Sequence, residues 1–152
     1  MAYTTLEGRQ KLLDGLAQAV DELGYAVASL GAAYEQLDDA TADKLEEELF
    51  GPTQRAYGRA KRTYAEFAAR HGVEGRAFQA QSPGPASARA RGLIDDAVAG
   101  LGGARTALEA VQDEPALLEV GDAELRAGLA EVRGIIDPLA LRARELVRRL
   151  GR

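Results

Sequence analysis

Between Leu13 and Leu37 the apolar residues recur at alternating steps of three and four: Leu13, Leu16, Val20, Leu23, Val27, Leu30, Tyr34 and Leu37. A helix returns to the same side at those steps, whereas a strand would alternate every second residue, so the spacing commits this part of the chain to a helix with a heptad-like stripe. Leu6 extends the stripe backwards. Thr4 and Glu7 stand in capping-box relation, which predicts a helix from Thr5 to about Leu37, roughly 50 Å long, with the two aspartates that follow supplying a turn.

The same pattern returns three times. Leu45, Leu49, Ala56, Ala60, Tyr64 and Phe67 predict a second helix from about Thr41 to Arg70, stopped by His71-Gly72. Gly51-Pro52 interrupts it, and because proline lacks a donor and clashes with the carbonyl four residues back, a kinked continuation is expected there. Ile94, Ala97, Leu101, Ala104, Leu108 and Val111 predict a third helix over 87–112, and 113–121 reads as a turn. Leu125, Leu129, Val132, Ile136, Leu139, Ala143, Leu146 and Leu150 predict a last helix with Asp122 as N-cap and a kink at Pro138, opposite Gly134. Residues 72–86 hold Pro83, Pro85, Gly75 and Gly84 and no period, and so read as the one long connection. The expectation is all-α: one domain over 1–152, an antiparallel four-helix bundle of two hairpins, 5–71 and 87–150.

Composition closes several routes to function. There is no cysteine, which excludes disulfides, thiolate metal sites and thiol nucleophiles. The N-terminus lacks a basic segment followed by an apolar run, and no apolar run approaches the roughly 20 residues of a membrane span, so a cytoplasmic protein is expected. The net charge of −5 is segregated, with −8 over 1–50, +6 over 51–93 and −3 over 94–152.

The basic segment centres on 55–72, which also holds Tyr57, Tyr64, Phe67 and the only histidine, His71. On a helical wheel Tyr57, Ala60, Tyr64, Phe67 and His71 share one side, while Arg55, Arg59, Arg62 and Arg70 lie roughly 130° away. A single-strand binder needs bases stacked on aromatics beside a basic groove, so this separation argues against nucleic acid. It fits a core helix with a solvated arginine face, in which Arg55, Arg59 and Arg62 are the candidates for an anionic partner.

His71 beside Gly72 is expected to cap or pack the helix end, and one histidine cannot build the glutamate-histidine pairs of a di-metal bundle. Glu35, Asp38, Asp39, Asp43, Glu46 and Glu47 gather around the first turn. Only if they converged would a magnesium-dependent phosphohydrolase be in view; the expectation is no metal and no cofactor.

Small residues form ridges beside the seams: Ala19, Ala26 and Ala33 on one flank of the first helix, Ala17, Gly24 and Gly31 on the other, and Ala97, Gly100, Ala104 and Ala107 on the third. Such ridges permit close helix approach. They also leave room for an apolar small molecule bordered by Tyr34, Tyr57 and Tyr64 beside Gly24 and Gly31, or for a homodimer seam. The leading reading is a non-catalytic bundle that acts by protein–protein interaction or self-association; the alternative is a carrier of an apolar ligand.

Overall fold

Thr4 begins the first helix as the capping-box spacing predicts: its Oγ1 accepts from the Glu7 amide at 3.1 Å and donates to Glu7 Oε1 at 2.8 Å. The computed structural model describes residues 4–85 and 89–150. Helix α1 runs Thr5–Tyr34, ending three residues before Leu37 because the chain turns there and Asp38 caps the next helix, its Oδ1 accepting from the Thr41 amide at 2.8 Å. Of the heptad stripe, Val27 is only half-buried; Leu13, Leu16, Val20, Leu23 and Leu30 are at most 1 % exposed.

Helix α2 (Asp39–Leu45) passes through a π-helical turn, Glu46–Phe50, into α3 (Gly51–His71) without leaving helical geometry. The Gly51 amide reaches back five residues to Glu46 O. Helix α3 ends at Gly72, whose φ of 63° is the left-handed cap geometry that glycine adopts without a Cβ penalty.

Helix α4 spans Ala90–Asp113, and its expected start at 87 falls among 86–88, outside the described residues, as do 1–3 and 151–152. The stretch 113–121, expected to be a turn, holds a short helix instead, α5 (Pro115–Val120). Pro115 at its first position explains this, since the missing donor is spare there and the fixed φ is helical. Asp122 then caps α6 (Ala123–Ile136), accepting from the Leu125 amide at 2.7 Å, and a two-residue turn at 137–138 separates α6 from α7 (Leu139–Leu150).

These helices form an all-α bundle. The broadest packing is α1 on α4, followed by α3 on α6 and α1 on α3, with α7 against α4. Residue pairs across the α1–α4 and α3–α6 seams ascend on one helix and descend on the other: Lys11 with Glu114 and Glu22 with Gly103, then Arg59 with Glu131 and Arg70 with Asp122. The centre is filled by Leu12, Leu16, Leu23, Phe67, Leu108, Leu125 and Leu129, each at most 1 % exposed. Burying each such side chain is worth about 1.5–3 kcal/mol relative to leaving it in water. Gly100 lets α4 close on α1, where a methyl group would stand 2.9 Å from Glu22 O. Among the described residues no helix is long and apolar enough to cross a membrane.

Candidate functional site

The small-residue notches of α1 are filled from within the chain. A methyl group on Gly24 would meet Gln81 Cγ at 3.0 Å and the Tyr57 ring at 3.2 Å, and one on Gly31 would meet the Phe50 ring at 3.5 Å. Tyr34 is tilted against Phe50 with ring centroids 6.1 Å apart. Tyr64 is buried edge-to-face with Phe78 at 5.0 Å, and its hydroxyl accepts from the Arg76 amide at 3.1 Å. Arg76 in turn pairs with Asp21 on α1 and lies over the Phe78 ring. The long connection is thus laid along the α1–α3 side, and the three tyrosines bind three different neighbours rather than one shared space.

The arginines behave otherwise. Arg55, Arg59 and Arg62, one turn apart on α3, line a single cleft of about 230 Å³ with Glu131 and Ile135 of α6. Arg59 is held at its floor, its Nε 2.6 Å from Glu131 Oε2 and its Nη1 donating to Thr63 Oγ1 at 2.9 Å. Thr63 is buried against Gly128, where any side chain would collide with it. The guanidinium beside Glu131 holds that carboxyl below its ordinary range, with Arg62 contributing.

His71 joins the end of α3 to the start of α6. Its Nε2 lies 2.7 Å from Asp122 Oδ2, and Arg70 grips both oxygens of the same carboxylate at 2.9 Å. Burial opposes the ionisation of Asp122, yet the Arg70 pair, the Leu125 amide and His71 outweigh it and bring its pKa down to about 2. No serine or threonine hydroxyl among the described residues bonds to His71. Around the first turn the carboxylates do not converge: among the described residues no three histidine, cysteine, aspartate or glutamate side chains form a metal-holding group. Asp38 serves as a cap, its pKa lowered by the Thr41 amide.

Another open feature lies between α4 and α7. A groove of about 560 Å³ is lined by Asp95 and Val98 of α4 and by Leu141, Ala143, Arg144, Val147 and Arg148 of α7. An adjoining cleft of about 230 Å³ shares Val98 and Arg144 and runs on past Leu101 to Ile136. Leu141 is 61 % exposed. Asp95 and Arg144 line the same groove, and neither has an ion-pair partner within the described residues. The signal in the sequence was Leu141 itself, a leucine set apart from the Leu139, Ala143, Leu146 stripe and followed by arginines at the three- and seven-residue steps that share its side of the helix.

No family model, no curated protein and no solved structure matches the chain.

What these places offer chemically is binding geometry. The groove pairs an apolar floor with two unpartnered opposite charges, the combination from which protein interfaces draw affinity and register respectively. The arginine cleft presents an oriented guanidinium flanked by two exposed ones that are in no ion pair among the described residues. The Asp122 cluster ties the end of α3 to the cap of α6, with Arg70, His71 and the Leu125 amide all on one carboxylate.

Proposed function

We propose that the chain is a single domain, an antiparallel four-helix bundle of two hairpins bent at Pro52 and interrupted at Pro138, which acts without catalysis by pairing its α4–α7 face with a second copy of itself. The lack of cysteine suits a cytoplasmic setting. The observation that carries the reading is the pair Asp95 and Arg144, exposed side chains lining one groove beside Val98, Leu141 and Val147 and in no ion pair among the described residues. Under a two-fold axis a surface meets itself, so residue i contacts j while j contacts i. Asp95 of one copy then faces Arg144 of the other, twice, and exposed Leu141 supplies the apolar knob for the opposite groove.

Sedimentation velocity across a concentration series tests this with charge reversals. Wild-type protein is expected to dimerise; Asp95→Arg and Arg144→Asp are each expected to weaken the dimer tenfold or more, about 1.4 kcal/mol. An equimolar mixture of the two variants should pair again, because each supplies what the other lost. A wild-type monomer at every concentration, or a dimer indifferent to both reversals, would sink the proposal.

A further inference from the structure

The arginine cleft between α3 and α6 lies on other helices than the pairing face, and its construction points to a ligand of a different kind. Arg59 is not a freely swinging surface side chain: its Nε and Nη1 are tied to Glu131 and Thr63, and Thr63 itself donates to Arg59 O at 2.8 Å. That double tie leaves the Nη2 edge without a partner among the described residues. Its side chain is only 19 % exposed, so the entropy of orienting a guanidinium has already been spent in folding.

Arg55 and Arg62 stand a turn to either side, both exposed and neither in an ion pair among the described residues. Three guanidinium groups therefore face one carboxylate, and the cleft has a positive surplus in a protein that is acidic overall. Ile135 adds one apolar wall. A space of about 230 Å³ admits a phosphate group with a small substituent and little more.

We propose that this cleft binds a phosphomonoester dianion, its oxygens on the free edge of Arg59 and between Arg55 and Arg62, its organic substituent against Ile135. Planar guanidinium forks match the spacing of phosphate oxygens, and a doubly charged group gains most where two unpaired cations flank a fixed one. Glu131 plays the part of placeholder: it orients Arg59 from one side and competes with the ligand by charge.

Phenyl phosphate is titrated into the full chain at constant ionic strength, following backbone amide and arginine Nε resonances by NMR. Saturable shifts are expected over 55–63 and 128–135. Benzenesulfonate, of similar shape with a single charge, should bind about tenfold more weakly, and R55Q/R62Q, which alters exposed residues only, should lose tenfold or more. Lysine at both positions keeps the charge and loses the fork, so a severalfold loss is expected there too, whereas E131Q should tighten binding severalfold. A short phosphotyrosine peptide forms the second arm: tighter binding than phenyl phosphate assigns the ligand to a modified protein, equal binding to a small organic phosphate. Shifts that grow linearly and are reproduced by sodium chloride, or that survive R55Q/R62Q unchanged, overturn the proposal.

Discussion

The second and the fourth apolar patterns of the chain each carry an internal proline, and the two prolines meet different fates. At Pro52 the helix passes through: the chain inserts a π-turn over Glu46–Phe50, and the carbonyl four residues back, Glu48 O, accepts from Arg142 Nη1 of α7 at 3.3 Å. At Pro138 the helix stops, and α7 begins on the next residue. Proline removes the same donor in both places, so its local chemistry cannot explain the difference. What differs is the neighbour. Pro52 is buried beside the core, and α7 supplies Arg142 as a donor to Glu48 O at the surface above it; Pro138 and Gly134 are exposed, where the chain is free to restart.

The comparison can be pressed hardest at the join between α3 and α6, where Asp122 both starts α6 and holds the end of α3. Asp122→Ala removes a helix cap and a bidentate arginine pair and is expected to cost about 3 kcal/mol in urea unfolding. Acid should reproduce part of that loss. A carboxyl depressed to about 2 from its ordinary 3.8 stabilises the fold fully above its unfolded value and loses that contribution as pH falls through the folded one. Roughly 2 kcal/mol should therefore disappear between about pH 4 and pH 2. Asp122→Asn should flatten that portion of the acid limb; an unchanged limb would place the acid sensitivity elsewhere.

Next in size is the link that rescues Pro52. Arg142→Ala should cost about 1 kcal/mol, and the cost should vanish in a Pro52→Ala background, where the backbone can supply its own donor. A double-mutant cycle with no coupling would separate Arg142 from the proline and undo the explanation given for the through-running helix. The smallest effect is expected at the other proline. Pro138→Ala should shift stability by less than about 0.5 kcal/mol, since Pro138 and Gly134 opposite it are both exposed. A loss as large as that of Arg142→Ala would erase the contrast.

What was legible in the sequence follows the range of the interactions. Thr4 and Asp122 were readable as caps because a cap bonds to an amide two or three residues on, and the apolar stripes were readable because a helix repeats within four residues. The short helix at Pro115 announced itself by the same local rule and was missed as a turn. The bound edge of Arg59, by contrast, depends on Glu131, and the filling of Gly24 on Gln81, partners that lie far along the chain. Tyr57 packs at Gly24, and periodicity alone could not say that Gln81 of the connection would lie there too.

By itself, then, the sequence determined the helices, most of their ends, the buried stripe of each and the exclusion of cysteine chemistry, all consequences of composition and of contacts within one turn. Only the tertiary structure decided which proline is carried through, which arginine is held and which are left free, and that the open apolar groove lies between α4 and α7. Those outcomes rest on side chains from separate helices meeting across a seam, and a meeting of that kind depends on how the helices pack, which no local period encodes.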